Sequence, residues 1–194
     1  MRKETNKLRN SVWKDILKII KDFRLTPFFE INRTEFRITS LINGTEIICV
    51  GLDDGEKIKG FSDISDVFLD EVTAFSPDDI RLIDGTVRSN RFKLPLQLYF
   101  AFNPISKVNF VYKYFGFESG STPKDTFIHH STYKDNTYLD KSFIKRMENL
   151  KEENYTLWQI ESEGLFASLD KLIYTRWDVQ AFDWHEMPGV LCCG

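Results

Sequence analysis

The sequence is short of cysteine, of positive charge and of long apolar runs. Its three cysteines, Cys49, Cys192 and Cys193, form neither a C-x-x-C pair nor the spacing of a zinc site, which predicts a reducing, cytosolic setting. No run of about 18 apolar residues is present, so no transmembrane helix is expected. The formal net charge of -3 excludes a broadly basic surface, so any contact with DNA would have to come from a local patch.

A phosphate-binding loop is also absent from the sequence, because G-x-x-x-x-G-K-[ST] occurs nowhere in these 194 residues. Such a loop supplies the backbone N–H groups and the lysine that hold the phosphates of a nucleotide. These residues alone are therefore not expected to capture a nucleotide.

The residues that are present predict a packed α/β fold. A helix is expected over 5–23 from its apolar spacing, and a β-hairpin over 36–50, because Asn43-Gly44 is a strong hairpin-turn signal. Three short apolar strands then alternate with helices. The strands are expected at 66–71, 96–102 and 126–131, and the helices at 76–84, 106–115, 140–150 and 152–161. This alternation predicts a mainly parallel sheet flanked by helices, with the hairpin added.

The first of these strands, DVFLDE at 66–71, ends in two carboxylates. A buried strand would fix the position of Asp70, whose carboxylate can hold Mg²⁺. Glu71 can then orient or deprotonate the water that attacks a γ-phosphate. The alternative is a strand that ends in two solvated acids.

The second strand ends in LYFAFNP, which puts Asn103 at its carboxyl end. In P-loop ATPases with a catalytic glutamate, a polar residue at this position senses the γ-phosphate. Carboxyl ends of parallel strands lie at one edge of a sheet, so we expect Asp70, Glu71 and Asn103 at the same end of adjacent strands. The alternative for Asn103 is an ordinary Asn-Pro turn.

A polar loop containing Tyr133, Asp135 and Asn136 follows the third predicted strand. In a parallel sheet this loop would lie at the face where nucleotide binds. Ordinary turn chemistry is the alternative for these three residues.

Several segments together resemble one family. IKGFSDISDVFLDEVTAF, LQLYFAFNPIS and HHSTYKDNTYLD are similar, in order and spacing, to the large terminase subunit of tailed bacteriophages. RKETNKLRNSVW and GLDDGEKIKG resemble segments that lie between the phosphate loop and the acidic strand of that family. The resemblance covers residues 2 to 175.

The resemblance implies a partial P-loop ATPase-type fold. Residues 1–175 would be part of a motor domain, and 176–194 a linker and the start of a nuclease domain. The family's motor drives double-stranded viral DNA into an empty capsid, with a small terminase subunit and a portal as partners. It works as an oligomer in the cytoplasm of the bacterial host, away from any membrane. Mg²⁺ and ATP would serve the complete motor, and neither is expected to bind this chain alone.

Carried over by position, Asp70 would hold Mg²⁺, Glu71 would be the catalytic carboxylate, and Asn103 would fall in the element that couples hydrolysis to domain movement. Many packaging motors carry an Arg-Gly before the acidic strand, proposed to reach a neighbouring subunit's nucleotide. This sequence has Lys59-Gly60 there, and a lysine lacks the bidentate fork of arginine. A contact of Lys59 with a neighbouring nucleotide is therefore left open.

Two other functions remain open from the sequence: a fragment of another P-loop, helicase-like ATPase, and a non-catalytic subunit that binds DNA or a partner. The order of the Asn-Pro strand and HHSTYKDN favours the terminase, and the absent phosphate loop favours a binding role for these residues alone. A sheet without its phosphate-loop strand further predicts an exposed apolar face or edge near the acidic strand.

Overall fold

The structure is a computed structural model that describes residues 1–5, 8, 11–52, 58, 60–88 and 95–167. Within these ranges the elements form two sheets, one antiparallel and one parallel. The helices are α1 (Val12–Asp22), α2 (Pro77–Asp84), α3 (Phe110–Tyr114), α4 (Lys141–Glu153) and α5 (Tyr155–Glu161). The strands are β1 (Phe29–Asn32), β2 (Arg37–Ser40), β3 (Glu46–Ile48), β4 (Asp66–Asp70) and β5 (Gln97–Ala101). No helix in the described ranges has the length and apolar character needed to cross a membrane.

The antiparallel sheet contains the predicted hairpin, formed by β2 and β3, and one further strand, β1. The turn is longer than the two-residue type that Asn43-Gly44 favours. Only Gly44 has a positive φ (71°), and the N–H of Ser40 donates to the carbonyl of Thr45. The apolar face of α1 covers this sheet through Trp13 and Ile20, which join a buried cluster with Ile38.

The parallel sheet pairs β4 with β5, in a register that runs from Asp66 opposite Gln97 to Asp70 opposite Ala101. Its inner face carries Val67 and Leu69, both buried. The residues that complete this core come from the flanking segments and include Val72, Ile80, Ile83, Val111 and Phe115. The predicted α/β fold, with a parallel sheet flanked by helices, is confirmed.

The outer face of the parallel sheet is open. Phe68 and Tyr99 lie opposite each other in the register, and each is about half exposed, at 52% and 45%. The exposed apolar face predicted near the acidic strand is therefore present in the described part of the chain.

The segment at residues 1–2 extends the parallel sheet beyond β4. The backbone nitrogen of Met1 donates to the carbonyl of Phe68, and the N–H of Asp70 donates to the carbonyl of Met1 at 2.9 Å. Arg2 then forms a parallel bridge with Gly51. A side chain at Gly51 would place its Cβ 2.4 Å from the backbone nitrogen of Thr5, so only glycine allows this close approach.

The prediction of a strand at 126–131 is wrong. These residues pair with no strand, and Phe127 is 88% exposed. Apolar residues become a strand only where a neighbouring backbone accepts their hydrogen bonds, and here the segment crosses the surface instead. The predicted helix at 106–115 is shorter, because Asn109 caps it and it begins at Phe110. Most of the predicted loop at 51–60, and all of 176–194, lie outside the described residues.

Helix α2 begins as the sequence predicts, at a serine followed by proline. The Oγ of Ser76 accepts from the N–H of Asp79, and the Asp79 carboxylate accepts from the N–H of Ser76 at 2.7 Å. This reciprocal cap fixes the start of the helix that covers the inner face of β4. Gly85 follows the last helical residue, as expected.

We predict that Ser76→Ala lowers the free energy of unfolding by about 1 kcal/mol, because the N–H of Asp79 loses its acceptor. Urea unfolding of the 194-residue chain measures the change. Ser131→Ala is the control, since the side chain of Ser131 is exposed and the residue lies outside the helices. Equal losses in both variants would contradict the capping role.

Candidate active site

The two carboxylates of DVFLDE lie at the carboxyl end of β4, beside the end of β5. Asp70 is opposite Ala101 in the parallel register, and Asn103 follows two residues later, exposed. Asp70, Glu71 and Asn103 thus share one end of adjacent parallel strands, which is the arrangement that the sequence predicts. The chemical role of each remains a prediction.

Glu71 has a left-handed backbone, with φ of 57° and ψ of 53°. This conformation costs a residue other than glycine roughly 1–2 kcal/mol, so the surrounding structure must impose it. Val72, which is fully buried, and a hydrogen bond from the N–H of Ala74 to the carbonyl of Glu71 hold the turn. The sharp turn ends β4 and leaves the side chain of Glu71 58% exposed at the strand end.

Arg2 contacts both carboxylates at once. Its Nε lies 2.7 Å from Oδ2 of Asp70, and its Nη2 lies 3.1 Å from Oε1 of Glu71. The Arg2 side chain is only 16% exposed and that of Asp70 is 24% exposed. The sequence does not indicate this role of Arg2, because Arg2 lies far from the acidic strand in the chain and no local pattern connects the two.

A second ion pair ties the same N-terminal segment to helix α2. The Nζ of Lys3 lies 2.5 Å from Oδ2 of Asp79, which also accepts from the backbone of Ser76. Burial raises the pKa of Asp79, but the hydrogen bonds from Lys3 and Ser76 outweigh it and hold that pKa below its usual value. The segment that carries Arg2 is therefore anchored both at the strand end and at the helix cap.

Asn109 fastens the segment after β5 to the turn after β4. Its Nδ2 donates to the carbonyl of Thr73 at 2.9 Å, while its Oδ1 caps α3 by accepting from the N–H of Val111. The loop that contains Asn103 and the turn that contains Glu71 are thus held together by one side chain. This residue, too, was not singled out from the sequence.

The loop with Tyr133, Asp135 and Asn136 forms a capped turn. The Asp135 carboxylate accepts from the N–H of Thr132 at 2.7 Å, and this bond holds the pKa of Asp135 below its usual value. Asn136 accepts from the N–H of Tyr138. The Asp135 carboxylate and the side-chain oxygen of Asn136 therefore accept hydrogen bonds within the turn, which favours ordinary turn chemistry, and a contact with nucleotide stays a prediction.

This turn is connected to the end of β5 through residues 163–166. Glu163 accepts from Nζ of Lys134 at 2.6 Å, and its carbonyl lies 2.8 Å from Nε2 of His130. Phe166 then packs into an aromatic cluster, with its ring centroid 6.3 Å from that of Phe102. The cluster also includes the rings of Tyr112, Phe115 and Phe117. Phe102 directly precedes Asn103, so the turn and the strand end share one packed unit.

The donor set at the strand ends suits Mg²⁺, which usually takes one or two carboxylates together with substrate phosphates and water. In the described part of the chain, no three His, Cys, Asp or Glu side chains are grouped as an all-protein metal site. A metal at Asp70 would therefore draw its other ligands from elsewhere, phosphates above all. Lys59 lies outside the described residues, and its contact with a neighbouring nucleotide stays a prediction.

Comparison with known proteins gives the family. The family described as phage terminase large subunit matches residues 1–165. The chain is 27% identical over 174 residues to the terminase large subunit of Bacillus phage SPP1, covering 84% of this chain and 40% of the relative. It is 28% identical over 141 residues to the PBSX phage terminase large subunit of Bacillus subtilis strain 168, covering 64% and 32%.

A solved structure, the large terminase from a thermophilic bacteriophage, matches with a TM-score of 0.65 at 18% identity, over 85% of this chain and 39% of that one. That likeness shows a shared fold. Because the family matches most of the residues, the chain belongs to the phage terminase large subunit family. It spans about two fifths of the length of the SPP1 relative.

We predict that Glu71→Gly is more stable than Glu71→Ala by about 1 kcal/mol in urea unfolding. Both variants remove the carboxylate and its contact with Arg2, but only glycine adopts a φ of 57° without strain. The matched pair is Glu148→Gly and Glu148→Ala, at an exposed position inside α4, where alanine should be the more stable by a similar amount. The same order at both positions would contradict the left-handed turn.

Proposed function

We propose that this chain supplies the acidic half of the ATP-hydrolysis site in a phage DNA-packaging motor. The observation that carries the proposal is the position of Asp70 and Glu71 at one strand end, beside the strand end of Asn103, in a chain of the terminase large subunit family. The family match supports this function over the helicase-like and non-catalytic alternatives.

Glu71 is proposed to act on the attacking water. Its side chain is exposed at the end of a rigid strand, and a carboxylate in that position can orient the water and accept its proton. Asp70, more buried and one residue earlier, is proposed to hold Mg²⁺. When bound, Mg²⁺ would supply charge neutralisation for the phosphates.

The phosphates themselves are proposed to be held by groups outside these residues. The sequence contains no phosphate loop, and neither carboxylate can bind an anionic phosphate directly. We therefore propose that the 194 residues alone do not turn over ATP, and that Asp70 and Glu71 act on a nucleotide held by another segment.

Asn103 is proposed to couple the state of the nucleotide to movement of the motor. It follows β5, and Asn109 joins its loop to the turn after Glu71, so both strand ends would respond to the same γ-phosphate. By family membership, the proposed partners are double-stranded viral DNA, the small terminase subunit, the portal and further copies of the large subunit. The proposed location is the cytoplasm of the bacterial host.

We predict no release of phosphate from ATP above background by the purified 194-residue chain. Supplying a family segment that carries the phosphate loop, fused or in trans, should give hydrolysis. Glu71→Gln should lower kcat in that form at least about a hundredfold, because the amide cannot accept the proton of the attacking water. Glu118→Gln, which alters an exposed glutamate that pairs with Lys113, is the matched control and should leave kcat unchanged.

Two results would contradict the proposal. Glu71-dependent turnover by the 194 residues alone would show that the phosphate site lies among them. Hydrolysis in the extended form that survives Glu71→Gln would show that another group activates the water.

A further inference from the structure

We infer that Arg2 is a positioning residue for ATP hydrolysis: it sets the carboxylate of Glu71 relative to that of Asp70. The inference rests on the proposed function, and it adds a residue from a distant part of the chain. Its basis is the pair of contacts that Arg2 makes with two successive carboxylates.

The geometry uses the shape of the guanidinium group. Nε donates to Oδ2 of Asp70 and Nη2 donates to Oε1 of Glu71, so two nitrogens of one rigid plane contact two different residues. Adjacent carboxylates otherwise repel each other, and a shared cation removes that repulsion. In these contacts Arg2 uses one oxygen of each carboxylate, which leaves the second oxygen of each for metal or water.

Hydrogen bonds hold the backbone of Arg2 in place, and this limits the positions that its side chain can adopt. The N–H of Arg2 donates to the carbonyl of Val50 and the N–H of Leu52 donates to the carbonyl of Arg2, at 3.4 and 3.1 Å. On the other side, the carbonyl of Met1 accepts from the N–H of Asp70. Arg2 is therefore in fixed register with the strand whose acids it contacts.

Glu71 is the partner that gains most from this contact. Its side chain has several rotatable bonds and is more than half exposed, so it would otherwise sample many positions. Catalysis by a general base needs a carboxylate within hydrogen-bond reach of one water. The contact with Arg2 narrows the positions that the carboxylate of Glu71 adopts before nucleotide arrives.

A purely structural role is the competing explanation, in which Arg2 only ties the N-terminal segment to the sheet. Lys3 separates the two explanations, because it anchors the same segment through Asp79 and has no ion pair with Asp70 or Glu71. Loss of the Lys3 pair tests anchoring alone, and a change of Arg2 tests anchoring together with positioning.

The test measures phosphate release in the extended form described above, with Arg2→Lys and Lys3→Met. A lysine keeps the charge but presents a point charge in place of a fork, so it cannot hold both carboxylates in the same way. We expect Arg2→Lys to lower kcat about tenfold with KM for ATP within about twofold, and Lys3→Met to leave both within about twofold.

A double variant adds a measurement that distinguishes positioning of Glu71 from anchoring of the N-terminal segment. If Arg2 acts through Glu71, then Arg2→Lys should cause no further loss in a Glu71→Gln background, measured by single-turnover assays of the residual rate. Urea unfolding of each single variant in the 194-residue chain verifies that it folds. Arg2→Met serves as a second variant, without charge, and should lower kcat at least as much as Arg2→Lys.

The inference is overturned if Arg2→Lys leaves kcat unchanged, if Lys3→Met lowers kcat equally, or if the losses of Arg2→Lys and Glu71→Gln multiply. These results differ from failure of the proposed function. If Glu71→Gln abolishes hydrolysis and Arg2→Lys has no effect, only the role of Arg2 fails. If no form hydrolyses ATP, or if Glu71→Gln is fully active, the proposed function and the inference fail together.

Discussion

Parallel pairing between β4 and β5 is the constraint on which the candidate site depends. It brings together two segments that are separated in the sequence by α2 and further residues, in a register that places Asp70 opposite Ala101. Parallel pairing requires a crossover connection, and α2 supplies it while covering the inner face of the pair. Without this register the acidic strand and the Asn-Pro strand would end at unrelated points.

Buried apolar residues on either side of Asp70 and Glu71 fix the backbone positions of these two acids. Leu69 precedes the two acids and Val72 follows them, and both are fully buried. Burial of each such side chain contributes roughly 2 kcal/mol, which exceeds the cost of one left-handed residue. The polar contacts of Arg2 then act on side chains whose backbone the core has already placed. The hydrophobic core thus determines where the backbone of the two acids lies, and the ion pairs with Arg2 then act on their side chains.

The features that were predictable from the sequence are those with a local cause. Ser76-Pro77 indicates a helix start because capping involves neighbours, and DVFLDE and the Asn-Pro strand are apolar runs with polar ends. The strand expected at 126–131 fails because pairing depends on a partner that no local pattern reveals. Arg2 was missed for the same reason, since its contacts span 68 and 69 residues of sequence. The left-handed turn at Glu71 could not be predicted because glutamate gives no turn signal.

The aromatic cluster around Phe102 and Phe166 has a mechanical consequence. Closely packed rings leave little free volume, so a displacement at one edge is transmitted across the cluster more than it is absorbed. Phe102 adjoins Asn103, and the segment of Phe166 carries Glu163, which holds Lys134 and His130. The end of β5 and the surface turn at Tyr133–Asp135 are therefore joined through packed aromatic rings and the contacts of Glu163, so a displacement of one is expected to shift the other.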